Sequence, residues 1–187
     1  MKNINRFTIK EYKEYVQLVK EYSETGDAGA ILKLFGLDVS KLTVEEFNKN
    51  LELILKSEVK NIGVKPYYFI GKRRYKADLN ITNIKAGQFI DLQNIIKRDK
   101  EDLASLIACF LIPQNKKFFW YTTPLYSTGY DIIGVIEEIE NNMTICEAKS
   151  LSDFFLFQSQ KLLKVTQDYL KKKTMKKKMK KIKKQII

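Results

Sequence analysis

With 187 residues, 44% of them apolar and 12% aromatic, the chain has enough material for one domain with a real core, which excludes disorder throughout. The absence of histidine removes the commonest general base and the commonest metal ligand together, and most familiar hydrolase triads with them. The net charge of +12 is local: ten lysines and no acid lie between Lys171 and Ile187, so the remaining 24 basic residues face 22 acids and the body is nearly neutral.

Taken in chain order, the first element opens on a T-x-x-E capping box, Thr8 with Glu11. Tyr12, Tyr15, Val16, Val19 and Tyr22 then recur at three and four residue steps, which predicts an amphipathic helix ending near Gly26. Tyrosines on such a stripe pack their rings and keep their hydroxyls wet, as suits either a peripheral helix or one at a subunit boundary. Ala28 to Phe35 predicts a short apolar helix stopped by Gly36. A second capping box, Thr43 with Glu46, opens a helix expected to turn Val44, Phe47, Leu51, Ile54 and Leu55 inward. These segments form a helical unit over 1–58.

The hydrophobic period then changes. Tyr67 to Ile70, the turn Gly71-Lys72 and Arg73 to Leu79 predict a β-hairpin, in which Tyr75, Ala77 and Leu79 alternate with Arg74, Lys76 and Asp78 to leave one face wet. Beyond Ile81, the residues Ala86, Phe89, Ile90 and Ile96 mark a helix. Asp99 is expected to cap another, with Leu103, Leu106, Ile107, Phe110 and Leu111 inward until Pro113 ends it. Lys117 to Thr122 predicts a strand or extended arm around Trp120, Thr123 to Gly129 a turn, and Tyr130 to Glu140 a helix. The last helix is expected to start at Ser152 as N-cap with Asp153 behind it, and to run past Phe155, Leu162, Val165 and Tyr169. Met175, Met179, Ile182 and Ile186 extend an apolar stripe into the lysine run. Lysine repulsion opposes that helix in isolation, so it is expected to order only against a partner that neutralises it.

The fold expected is α+β and mostly helical: a helical N-terminal unit, a short β-hairpin, a helical core and a long C-terminal helix with a basic tail. Residues 1–170 form a single body, divided into 1–58 and 66–170, and 171–187 are the tail. No apolar run approaches the roughly 20 residues a membrane helix needs, and Met1 to Arg6 lack the apolar stretch of a secretory signal. The expectation is a soluble protein made in a cytoplasm, with no membrane insertion.

Few residues suggest chemistry. Cys109 and Cys146 lie far apart in apolar or mixed helical surroundings, which reads as two reduced core thiols. Glu137, Glu138 and Glu140 cluster on one helix without a second acidic group to complete a metal site, and read as a solvated face. Cys146 beside Glu147 lacks the basic neighbour that would ionise a nucleophilic thiol. No glycine-rich phosphate loop is present. The residues therefore predict no enzyme, no catalytic or metal site and no cofactor.

Two basic groups stand out as candidate polyanion contacts. Lys72, Arg73, Arg74 and Lys76 surround Tyr75 on the hairpin, either as a patch for nucleic-acid backbone or as positive charge guarding an edge strand against mispairing. Lys171, Lys172, Lys173, Lys176, Lys177, Lys178, Lys180, Lys181, Lys183 and Lys184 form the tail, where lysines alone suffice to meet phosphates. A membrane-surface helix would want a Trp or Phe anchor there, and a coiled-coil seam flanking acids. A merely solubilising end is the bland alternative.

The stretch Ile84-Lys85-Ala86-Gly87-Gln88-Phe89-Ile90-Asp91, followed by Tyr130-Asp131-Ile132-Ile133 and by Phe154-Phe155 through Lys161-Leu162-Leu163 to Tyr169-Leu170, resembles structural proteins of tailed bacteriophages. It is similar in particular to those of crAss-like phages, where small helical ring proteins stack below the portal at the head-tail junction. The resemblance covers 81–170 and rests on segment order and wording, with no catalytic signature. It implies a non-enzymatic virion subunit at the neck or tail, made in the bacterial host cytoplasm. Its partners would be copies of itself, the portal, other tail or ring proteins, and DNA in the lumen. The same pattern also resembles tail-assembly chaperones, which coat a tape-measure protein and leave before maturation. A free cytoplasmic nucleic-acid-binding protein is the reading from the basic groups alone.

Overall fold

The computed structural model describes residues 1–80, 86–98, 102–117, 120–122, 132–161 and 164. Helix α1 (Ile9–Thr25) begins where both halves of a capping box are made: the Thr8 hydroxyl accepts from the Glu11 N–H, and the Glu11 carboxylate accepts from the Thr8 N–H at 2.9 Å. It ends at Gly26, whose φ of 75° lets the chain leave in a left-handed turn. Helix α2 (Gly29–Leu34) and helix α3 (Val44–Leu55) follow, α3 with the same reciprocal box at Thr43 and Glu46. Short 3-10 turns at Ile4–Arg6 and Val39–Lys41 complete this part.

These elements bury a first core around three rings. Phe35 lies 4.7 Å from Phe7 and 5.6 Å from Tyr15, with Ile31, Leu32 and Ile54 packed around them. Of the five residues expected inward on α3, Leu51 and Ile54 are buried and Phe47 is partly so. Val44 is 79% exposed and Leu55 is exposed as well. The physical reason is positional: the covered stripe runs through 47, 51 and 54, Val44 is the helix's first residue, and Leu55 is turned about 100° from Ile54.

The hairpin forms as expected from strands β1 (Tyr67–Ile70) and β2 (Arg73–Ala77), joined across Gly71 at φ 57°. A third strand, β3 (Leu111–Pro113), pairs antiparallel with the far side of β2, so the sheet order is β1-β2-β3. This corrects the helix expected to run through Leu111. Helix α5 (Leu103–Ala108) stops early, and Pro113 closes an outer strand, where a missing N–H is tolerated. The cap of α5 is Asp102, whose carboxylate accepts from the Ser105 N–H at 3.2 Å. Asp99 lies outside the described residues.

The inner face of the sheet, with Tyr68, Ile70, Tyr75 and Ala77, joins a second core with Leu92 and Ile95 of α4 (Ala86–Arg98), Leu106 and Ile107 of α5, and Val135 and Ile139 of α6 (Ile132–Asn142). The expected helix forms; among its described side chains Gln88, Leu92 and Ile95 are buried, Ile96 packs partly buried against this core and Ile90 is exposed. Gln88 is accommodated because its side-chain amide donates to the Cys109 carbonyl at 3.1 Å. Helix α7 covers 145–161, and its Phe155 stacks on Phe110 at 3.7 Å. Ser152 is therefore buried inside a helix and is not its cap. Thr144 stands at the start instead, with its hydroxyl on Glu147 at 2.9 Å. Strands β4 (Asn115–Lys117) and β5 (Trp120–Thr122) make a separate two-stranded sheet, in keeping with the strand expected around Trp120.

The two cores interlock. Ile9, at the start of α1, is buried in the second, Ile145 in the first, and Leu103 packs against both. Backbone hydrogen bonds from Ile9 to Met143 and from Ile145 to Phe7 fasten the α6–α7 junction to the start of α1. The architecture is α+β and mostly helical. Among the described residues no helix is long and apolar enough to cross a membrane.

Candidate functional site on the outer face of the sheet

Strand alternation divides the hairpin's basic run into two environments. Lys72 is exposed at the turn. Arg73, on the same side of β2 as Tyr75, brings its guanidinium to 3.7 Å from the Glu138 carboxylate of α6, and the same oxygen accepts the Tyr75 hydroxyl at 2.5 Å. Burial first, then the Glu138 carboxylate, pushes the Tyr75 hydroxyl far above the ordinary phenol range, so it remains a donor. Arg73 is thus drawn towards an acid of its own chain, and Glu138 locks β2 to α6.

Arg74 and Lys76 occupy the opposite side, away from the core. In the ladder Phe69 pairs with Arg74 and Tyr67 with Lys76, and Ile112 of β3 lies beside Lys76. The burial of β1 alternates, with Tyr68 and Ile70 inward and Tyr67 and Phe69 outward. The Arg74 guanidinium leans diagonally to sit 4.0 Å from the centre of the Tyr67 ring, a contact worth about 0.5–1 kcal/mol at an exposed site. Phe69 remains 75% exposed beside it. The outer face therefore carries two cations and two aromatic rings on adjacent strands. Because β2 is the central strand, its charges do not guard an edge, which removes the edge-strand account of them.

The sequence singled out the four basic residues but not Phe69. The signal was available in the alternation of Tyr67 and Phe69 with Tyr68 and Ile70, combined with the register that a two-residue turn at Gly71-Lys72 imposes. The ten tail lysines, Lys171 to Lys184, lie outside the described residues, as do Leu162, Val165, Tyr169 and the expected turn from Thr123 to Gly129.

The other candidates are accounted for by packing. Glu138 serves Tyr75 and Arg73, and Glu140 pairs with Lys13 at 2.8 Å. Among the described residues no group of three or more His, Cys, Asp or Glu could hold a metal ion. The Cys146 thiol lies 3.1 Å from the Asn5 carbonyl, and the Glu147 carboxylate engages Thr144 and Lys65, not the sulfur. Burial, with Asp91 adding to it, pushes the Cys109 thiol up to about 12, so it is inert as a nucleophile at neutral pH. Between α1 and α7 runs a groove of about 580 Å³, lined by Tyr12, Val16, Ile145 and Leu156, with Lys20 and Lys149 among its cations.

No family model, no curated protein and no solved structure matches the chain.

Proposed function

We propose that this chain is a non-enzymatic structural subunit of a tailed-phage particle. It repeats as a homo-oligomeric ring at the portal, neck or tail of a crAss-like phage, with the lysines of 171–187 directed to DNA or an acidic partner surface. Its partners are copies of itself, the portal and the neighbouring ring or tail proteins. The observation that carries the reading is the placement of large apolar side chains in water on separate elements: Val44 of α3 is 79% exposed, Ile133 of α6 68% and Phe157 of α7 56%. A ring subunit covers two faces with its neighbours, and such residues supply the apolar centre of those contacts. The wording of 81–170 supports the same assignment.

A tail-assembly chaperone is the second reading, and the groove between α1 and α7 favours it, since its mixed lining, apolar at Tyr12, Val16, Ile145 and Leu156 and charged at Lys20 and Lys149, offers a client segment both kinds of contact. Mass spectrometry of purified particles separates the two. A ring subunit is present in stoichiometric amount. Absence from particles, together with co-purification with a tape-measure protein from infected cells, overturns the ring and establishes the chaperone.

A further inference from the structure

We infer that the outer face of the β1-β2-β3 sheet is a binding site for single-stranded nucleic acid, with Phe69 as the stacking ring, Tyr67 and Arg74 as a second stacked platform, and Lys76 as a phosphate contact. The site stands whether or not the chain enters a particle, and it is separate from the lysine run.

Four observations carry it. Phe69 places most of a ring in water in a folded sheet, although the neighbouring positions Tyr68 and Ile70 are almost wholly buried, so the exposure follows from the strand's alternation and not from poor packing. Tyr67 and Phe69 are two residues apart on one strand, a separation of roughly 6.8 Å, comparable to the reach of one nucleotide of extended backbone. The cations lie on the next strand, directly opposite the rings, with Arg74 facing Phe69 and Lys76 facing Tyr67. The Arg74 guanidinium carbon already lies 4.0 Å from the centre of the Tyr67 ring, which holds the two groups together in advance.

This combination selects its ligand. Bases present their faces only when unpaired, and aromatic rings and guanidinium planes on open sheet faces hold them by stacking, while adjacent cations meet the phosphates. A duplex keeps its base faces inside its own stack and gives Phe69 nothing to pack on. An acidic protein surface would use the cations and leave the Phe69 ring uncovered. Arg73 and Lys72 lie outside the site: the first is turned to Glu138, the second sits at the turn.

The test uses the full chain and fluorescence anisotropy with a labelled twelve-nucleotide oligothymidylate, against a duplex of equal length. Phe69→Ala weakens single-strand binding about tenfold, within the range of one lost base stack, and leaves duplex binding unchanged. Phe69→Trp retains single-strand binding. Lys76→Gln lowers the slope of log affinity against log salt by about 0.7 for the single strand. Deleting Lys171 to Ile187 weakens both nucleic acids, and the Phe69→Ala difference persists in that background. Equal single-strand affinity for Phe69→Ala and wild type, or an equal loss on duplex, overturns the site. A second measurement does not depend on the variants: photocrosslinking of wild type to a 5-iodouracil oligonucleotide, followed by peptide mapping, places the adduct within 67–76. Adducts confined to 162–187 refute the proposal.

Discussion

At the residue scale, the buried polar groups set how the protein responds to alkali. Cys109 is fully buried and holds its proton to about 12, whereas an unfolded thiol releases it near 9. Tyr75 behaves in the same direction, raised by burial and by Glu138. A group whose pKa is raised on folding adds stability that is complete below its unfolded pKa and vanishes as pH climbs through the folded value. The expected unfolding free energy is therefore level from neutral pH to about 8.5 and falls between about pH 9 and 12, as the unfolded thiol and phenol ionise first. Urea titrations across that range check it. Cys109→Ala, a small change in a dry site, flattens the first part of the decline.

At the scale of elements, the hairpin depends on its turn. Gly71 has φ 57°, and a Cβ there would stand 3.1 Å from a Glu138 carboxylate oxygen. Gly71→Ala is expected to lower stability by about 1–2 kcal/mol, and Gly71→Asn by less, because asparagine enters the left-handed region more readily. The midpoint of urea unfolding reads both. The elements also show which signals a sequence carries plainly. Thr8 with Glu11 and Thr43 with Glu46 are local pairs, three residues apart, whose hydrogen bonds need nothing from the rest of the chain, and both helices begin where those pairs place them. Thr144 and Glu147 have the same spacing and mark the true start of α7, whereas Ser152, a good cap by type, lies in the middle of that helix. Strand β3 had no comparable signal. Three residues after an apolar helix are too few to display a period, and they become a strand only because β2 offers them a free ladder edge.

On the scale of the whole molecule, the exchange of Ile9 and Ile145 between the two cores makes the helical N-terminal elements and the sheet-bearing part depend on one another. Truncating either residue to alanine is expected to cost about 2–5 kcal/mol, the range for a buried aliphatic side chain that leaves a cavity. If the cores are coupled, hydrogen exchange at the amides of α2 and of β2 reports one coincident urea transition in each variant. Two separated transitions would mean that the cores unfold independently. The same molecule leaves Val44, Ile133 and Phe157 in water while it pairs Lys13 with Glu140 and Arg73 with Glu138 internally. The apolar surface, not the paired charge of the described residues, is what remains for neighbours to cover.

By itself the sequence determined the helix starts at Thr8 and Thr43, the turn at Gly71-Lys72, the concentration of charge after Lys171 and the mostly helical α+β class, because each follows from residues a few positions apart or from composition. Only the tertiary structure decided that β2 is central, that Arg73 answers to a glutamate 65 positions away, and that Arg74 and Lys76 share a surface with Tyr67 and Phe69. Those outcomes depend on which elements meet, and the free energy of that meeting resides in contacts between distant segments that no local pattern contains.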